Sequence, residues 1–434
     1  MRRIIFNELL SWKKSPDRKP LLLQGARQTG KTWLMEEFGK NEYKKVISLN
    51  FEKQPDISVY FDGDVSPVNI IRSLEQRFAV NIDAENTLII MDEIQESERA
   101  LNSLKYFCEE APQYHIIAAG SFLGVALQGG FPVGKVDRLT LHPMSFYEFL
   151  EGIGKERYAQ TIKNLDFELI RASSGDYEKL LKTYFLVGGM PEAVAAFAAR
   201  EDLREVRAIQ SNILADYQDD FSKHITPLNT PKVEMIWNSI PRHLSKERKK
   251  FMYKELAEGA RAYSYEDAMN WLFNTRLVCK IPRTEENKLP LASFADEKAF
   301  KLYMLDCGLF CAKAEIDITV FFEHNSELLS YFNGAIAEQF VMQELVTAGY
   351  KPYYWGREKG EAEVDFIIQW RNEIVPVEVK SGFRKKSKSL DVYRQMYNPK
   401  RAVRTTLRNN GVMDGLFSVP LYMIANIGEI LAHK

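Results

Sequence analysis

The chain has 434 residues, enough at roughly 150 residues per domain for about three domains with their own cores. Hydrophobic residues make up 45% and charged residues 27%, ordinary globular usage that excludes disorder as a description of the whole chain. Basic and acidic residues nearly cancel, 58 against 59, so any attraction to nucleic acid must come from local patches rather than net charge.

The N-terminal stretch MRRIIFNELLSWKKSPDRKP is basic but lacks the long apolar core of a signal peptide. No run approaches the roughly 18 apolar residues of a membrane-spanning helix. Cys108, Cys279, Cys307 and Cys311 make no disulfide framework. Cys307 and Cys311 could share a helix face, but no second Cys or His pair completes a zinc site, so buried thiols are expected. A reduced, soluble, cytoplasmic protein without a membrane partner is the expectation.

Leu21 to Gln24 reads as a buried strand, followed by a helix from Thr32 to Phe38. Val46 to Asn50, Leu88 to Met91 and Ile116 to Ala119 are further strands, with helices at Val68 to Phe78 and Ala100 to Glu110 between them. Strands alternating with helices predict a parallel α/β sheet, and unbroken apolar runs fit strands covered on both faces. Between the first strand and helix lies Gly25-Ala26-Arg27-Gln28-Thr29-Gly30-Lys31-Thr32, an unbroken G-x-x-x-x-G-K-[ST] phosphate loop in its confirming context. Its backbone N–H groups and the helix N-terminus would cradle phosphates. Lys31 would reach the β- and γ-phosphates of ATP, and Thr32 would ligand Mg²⁺. Asp92 and Glu93 end the Leu88 strand, where open α/β sheets bind ligands. Asp92 would hold the magnesium through water, and Glu93 would polarise the attacking water. Ser121, at the end of the next strand, could sense the γ-phosphate. Arg138 is a candidate arginine finger, with a surface arginine the favoured reading.

After Pro143 the pattern turns helical, with stretches at Ser145 to Leu150, Asp176 to Leu186 and Leu203 to Asp220. Phe251 to Glu258, Gly259, a Ser264–Asp267 capping box, a helix to about Phe273, a strand from Leu277 to Ile281 and a wing from Arg283 to Lys288 predict a winged helix. Glu266 and Asp267 at the start of its second helix argue against sequence-specific DNA reading there. Basic residues cluster just before it, at Arg242, Lys246, Arg248, Lys249 and Lys250.

A helix from Gly334 to Ala348 follows, then strands at Glu363 to Ile368 and Ile374 to Lys380 joined by a turn over Gln369 to Glu373. Strand alternation puts Glu378 and Lys380 on one face, and a hairpin would set Asp365 beside Glu378. Clustered acids are costly without a cation, so Mg²⁺ is the natural filling. The pattern resembles the D…(D/E)-x-K nuclease core: Asp365, Glu378 and Glu338 would hold the metal, and Lys380 would position or activate the water. A fold of this type retained only for binding is the alternative. Arg384 to Arg408 carries nine Lys/Arg residues with Tyr393 and Tyr397 interleaved, which suits DNA or RNA phosphates.

The stretches LLLQGARQTGKTWLMEEF, TLIIMDEIQE, AAGSFLG and RLTLHPMSFYEFL resemble prokaryotic AAA-superfamily ATPases of uncharacterised function, which usually carry a C-terminal domain of unknown function. FLVGGMPEAV, KLYMLDCGLF, EVDFIIQ and VPVEVKSG resemble that C-terminal domain. The resemblance implies ATP binding and a restriction-endonuclease-like C-terminal fold, but no settled role. The expected organisation is an ATPase domain over 1–150, a helical region over 151–230, a winged-helix-like region over 231–315 and a restriction-endonuclease-like α/β domain over 316–434. Two functions are open: an ATPase whose cycle controls a Mg-dependent nuclease-like domain, or an ATP-dependent switch or scaffold with an inactive binding module. A homo-oligomer or a protein partner fits either.

Overall fold

The computed structural model describes residues 3–121, 134–322, 330–357, 362–381, 387–407 and 410–433. Phe122 to Gly124, Arg384 to Lys386 and Arg408, which belong to motifs noted above, lie outside those residues. The chain divides into two compact units, one of residues 2–142 with 274–276, the other of 143–273 and 277–434. The regions expected at 151–230, 231–315 and 316–434 therefore fall almost wholly within the second.

In the first unit five parallel strands, β1 (Leu21–Gln24), β2 (Lys45–Asn50), β3 (Thr87–Asp92), β4 (His115–Gly120) and β5 (Asp137–Thr140), lie in the order β2-β3-β4-β1-β5. The run of apolar residues in the central strands serves two cores. Leu22, Ile89, Met91, Ile116 and Ala118 pack on one face, and Leu21, Leu23, Leu88, Ile90, Ile117 and Ala119 on the other. That is the period-two alternation of a strand covered on both sides. Because β4 sits between β1 and β3, three neighbouring strand ends deliver the phosphate loop, Ser121 and Asp92 to one edge of the sheet.

The second unit begins with helices, among them Phe146–Gly152, Ser174–Val187, Pro191–Arg200, Leu203–His224 and Thr230–Leu244. Its eight-stranded mixed sheet has the order β12-β13-β11-β10-β9-β8-β6-β7. The strands are β6 (Val278–Thr284), β7 (Ala295–Met304), β8 (Tyr353–Gly356), β9 (Glu363–Trp370), β10 (Glu373–Glu378), β11 (Ala402–Thr406), β12 (Gly411–Met413) and β13 (Leu416–Pro420). β9 and β10 form the expected hairpin, turning at Arg371. Helices Ser330–Thr347 and Lys388–Tyr397 precede β8 and β11 respectively.

The middle region departs from expectation. No helix forms over Phe251 to Glu258, where only a 3-10 turn at Tyr253–Glu255 appears. Phe251 is instead held extended: its N–H donates to Phe300 O (2.8 Å), and its ring stacks on Phe300 and His243. Burial of that ring outweighs local helix preference. The helix Glu266–Asn274 forms after a 3-10 turn at Ala262–Tyr265. The strand expected from Leu277 to Ile281 extends to Thr284, and its far end pairs in parallel with β8 (Arg283 with Tyr354, Thr284 with Trp355). The β6–β7 hairpin is thus part of the C-terminal sheet, which crosses the boundary expected at residue 316.

Candidate functional site

The phosphate loop closes on itself. Gln28 and Gly30 have positive φ (+63° and +89°), which reverses the chain before the helix Lys31–Glu42. At Gly25 a Cβ would meet Leu141 O at 2.5 Å, so only glycine permits that approach. The Lys31 amine, buried at 5% exposure, donates to Gly25 O (3.0 Å), Ala26 O (2.8 Å) and Ser121 Oγ (3.0 Å). Its three protons are thus directed at neutral oxygens, and burial pulls its pKa down to about 8, against the nearby carboxylates of Glu93 and Asp92. A buried ammonium bound only by neutral groups is the electrostatic complement of an anion.

Thr32 Oγ1 donates to Asp92 Oδ2 (2.7 Å), which also accepts from Asn50 Nδ2 (3.2 Å). Burial pushes the Asp92 carboxyl up, partly offset by the Thr32 hydrogen bond. A hydroxyl and a carboxylate in contact at the helix start form a donor set that fits an oxygen-loving cation. Glu93 follows in the left-handed region (φ +49°), a strained conformation for glutamate. Its Oε2 accepts from Gln95 Nε2 (2.7 Å). Arg27 makes a loose pair with Glu52 (3.9 Å), and Thr29 Oγ1 donates to Ala26 O (2.9 Å). Arg138 is exposed on β5, level with Leu22.

Sequence reasoning missed three contributors here. Asn50 and Gln95 orient the two carboxylates. Arg3, buried, bridges Thr29 O (3.1 Å) and His142 O (2.6 Å) and so ties down the loop. Asn50 ends a strand beside Asp92, a legible signal; Arg3 had none beyond being a charge in an apolar neighbourhood.

In the second unit the four residues expected to act together are near one another. Continuing the β9–β10 ladder one step past Phe366 and Val377 sets Asp365 opposite Glu378. Val379 N–H donates to Asp365 Oδ2 (2.8 Å). Lys380 Nζ (2.7 Å) and Ser387 Oγ (2.6 Å) both donate to Glu378 Oε1, while Glu378 Oε2 is buried without a hydrogen-bond partner. Two further amines, absent from the sequence reading of this site, enter the cluster. Lys301 on β7, fully buried, lies 2.6 Å from Glu363, 3.5 Å from Glu338 and 3.8 Å from Asp365. Lys249 pairs directly with Glu338, which also accepts from Tyr303 OH (3.2 Å).

Burial opposes ionisation of Glu338, but Lys249 and Lys301 hold its carboxyl down at about 2. Asp365 goes the other way: burial and the charges of Glu338 and Glu378 push it well above the usual carboxylate range. The pocket thus gathers four carboxyl groups, of Glu338, Glu363, Asp365 and Glu378, around the three amines of Lys249, Lys301 and Lys380. Among the described residues no group of three or more His, Cys, Asp or Glu side chains is arranged to hold a metal ion. The expectation that Glu338, Asp365 and Glu378 present a ready Mg²⁺ site does not match this arrangement, because lysine amines already occupy Glu338.

In the described part of the basic stretch several side chains have partners within the fold. The Tyr393 and Tyr397 rings lie tilted to each other (4.8 Å) and both meet Trp355 edge to face, and their hydroxyls donate to Asn287 Oδ1 and Glu285 O respectively. Tyr393 is buried in the core beside Trp355, and Tyr397 packs half-buried against it. Arg401 grips Glu373 through both oxygens (2.8 and 2.9 Å). Cys307 and Cys311 are buried free thiols; burial pushes Cys311 up to about 12.

Residues 17–150 match the AAA domain family. That match spans most of the first unit, including the phosphate loop, Asp92 and Glu93. Residues 178–319 match a domain of unknown function (DUF8612) and residues 333–424 another (DUF4143). No curated protein matches the chain. Among solved structures, the Walker-type ATPase PABY2304 of Pyrococcus abyssi is 14% identical, with 72% of this chain and 95% of that chain covered at a TM-score of 0.46. The Thermotoga maritima RuvB Holliday junction branch migration motor is 15% identical (65% and 90% covered, TM-score 0.30). A chain of Drosophila ORC bound to DNA is 12% identical (68% and 90% covered, TM-score 0.30). Among the described residues no helix is long and apolar enough to cross a membrane.

Proposed function

We propose that the protein is an ATP-hydrolysing switch whose nucleotide cycle controls a nuclease-like pocket in its second unit. The observation that carries the first half is the Lys31 amine, buried and bonded only to neutral oxygens beside the Thr32–Asp92 pair. Phosphate oxygens exchange for Gly25 O and Ala26 O and give the ammonium a charged partner. Thr32 and Asp92 would hold the magnesium, which when bound neutralises charge on the β- and γ-phosphates. Glu93, oriented by Gln95, accepts a proton from the attacking water, and Ser121 reports the γ-phosphate to Lys31.

The nuclease-like reading of the second unit is supported by the order helix, β8, β9, β10, helix, β11, with β9–β10 antiparallel and β10–β11 parallel. Glu338, Asp365, Glu378 and Lys380 cluster on this frame. A winged-helix reading of 231–315 is supported only by the helix Glu266–Asn274 and the β6–β7 hairpin behind it. The second reading, a partner-binding module without cleavage, is favoured by the lysines already neutralising the pocket. ATP turnover by the purified protein, compared with Lys31→Ala, tests the switch; absence of turnover in both refutes it. Mn²⁺-dependent nicking of DNA or RNA that EDTA abolishes and Asp365→Ala removes separates the two readings of the pocket.

A further inference from the structure

The two amines on Glu338 are held in different ways. Lys301 is 0% exposed and sits inside β7, in register with Ile281 of β6, so it cannot leave without a strand of the sheet. Lys249 is 14% exposed and lies on the irregular segment between the helix Thr230–Leu244 and Phe251. That segment is anchored at its far end, where Phe251 N–H binds Phe300 O (2.8 Å). Lys246 and Arg248, its neighbours, already face solvent. An outward swing of Lys249 therefore breaks one ion pair and returns a flexible ammonium to water, while the sheet stays intact.

The pocket also shows an unmet demand. Glu378 is 4% exposed, and its Oε2 has no hydrogen-bond partner, a costly state for a carboxylate oxygen in low dielectric. Glu338, Glu363, Asp365 and Glu378 face Lys249, Lys301 and Lys380. Without Lys249, the four carboxyl groups outnumber the two remaining amines by two, which matches one divalent cation once Asp365 gives up its proton to the incoming ion.

We infer that Lys249 is a displaceable counter-cation that stands where a divalent ion would neutralise Glu338, so the pocket admits such an ion only when the 245–250 segment releases Glu338. This rests on the nuclease-like reading of the pocket and accounts for the lack of a ready three-carboxylate site. Lys301 is the permanent cation; Lys249 is the removable one.

The test uses the full chain without nucleotide. Mn²⁺ binding is titrated by calorimetry and by the electron paramagnetic resonance of the free ion, with Asp365→Asn as the background for binding elsewhere. Lys249→Met is expected to bind Mn²⁺ at this site at least tenfold more tightly than wild type, and Lys249→Arg to bind as wild type. Equal affinity in wild type and Lys249→Met overturns the counter-cation while leaving the metal-binding reading intact. No binding above the Asp365→Asn background in any form overturns both. A second measurement needs no variant: mass spectrometry after brief amine acetylation of the wild-type protein. Saturating Mn²⁺ is expected to raise labelling of Lys249 severalfold and leave Lys301 unlabelled; unchanged Lys249 labelling with Mn²⁺ bound overturns the inference.

Discussion

The nucleotide site and the acidic pocket each bury lysine among polar groups, yet they answer the cost of burial in opposite ways. Lys31 spends its hydrogen bonds on two carbonyls and a hydroxyl. Lys301 faces three carboxylates. Burial therefore lowers the pKa of Lys31 to about 8, whereas the surrounding carboxylates carry Lys301 well above its ordinary value despite complete burial. An ammonium without a counter-charge is a site for an anion. An ammonium that already has several is a structural ion, and what it stabilises is the fold around it.

This contrast can be broken most directly at Lys301. Lys301→Met leaves Glu363, Glu338 and Asp365 without their fixed cation, and breaking a buried pair on one side costs about 3–5 kcal/mol. Chemical denaturation should show that loss in the second unit, with ATP affinity unchanged. A stability within experimental error of wild type would mean the lysine is not structural.

The reciprocal outcome belongs to Lys31. Lys31→Ala should weaken ATP binding by about two orders of magnitude, since charge-assisted bonds to a buried ammonium are lost. Calorimetry checks this, and thermal unfolding should move little. In the wild type the free amine titrates near pH 8. Above that pH, binding must first restore a proton, so ATP affinity should fall and proton uptake should appear in buffers of different ionisation heat. Constant affinity from pH 7 to 9 would contradict the picture of an uncompensated amine.

Glu93→Gln sharpens the comparison within the nucleotide site. It keeps shape and the neighbouring Gln95 but cannot accept the water's proton. Turnover should drop roughly 10²-fold while ATP affinity stays near wild type. Turnover at the wild-type rate would assign the base elsewhere.

The smallest effect concerns a buried acid with neither kind of answer. Glu344, on the helix that carries Glu338, accepts Phe146 N–H (2.9 Å), and burial with the nearby Glu148 raises its carboxyl to about 8. The folded state thus favours its protonated form. That contribution is complete below the ordinary carboxylate range near pH 4.5 and is lost as pH rises to about 8. Glu344→Gln, whose amide oxygen can still accept from Phe146, should stabilise the protein at pH 8 by about 1–3 kcal/mol and flatten the pH dependence of Tm. A variant with an unaltered slope would place the titration on another group.

The nucleotide site was legible in the chain because its parts are local. Lys31 reaches back only to Gly25 and Ala26, and the positive-φ residues Gln28 and Gly30 lie between them. Asp92 and Glu93 announce themselves by following an apolar strand. Asp365, Glu378 and Lys380 were legible for the same reason, since a hairpin of adjacent strands sets their spacing. The surroundings of Tyr393 and Tyr397 were not legible, because helix spacing says which residues share a face but not what that face meets, and here it meets Trp355.

By itself the amino-acid order determined the parallel sheet, the loop on its first strand and the carboxylates at its edge, all through short-range backbone chemistry. Only the tertiary structure decided the state of the acidic pocket. Glu338 finds Lys249 and Lys301 at 89 and 37 positions' distance along the chain. They meet because Phe251 is drawn extended against Phe300 and because the β6–β7 hairpin joins β8. No local pattern encodes such pairings; they follow from burying apolar surface, which carries the lysines in with their strands and leaves them to find whatever negative charge is there.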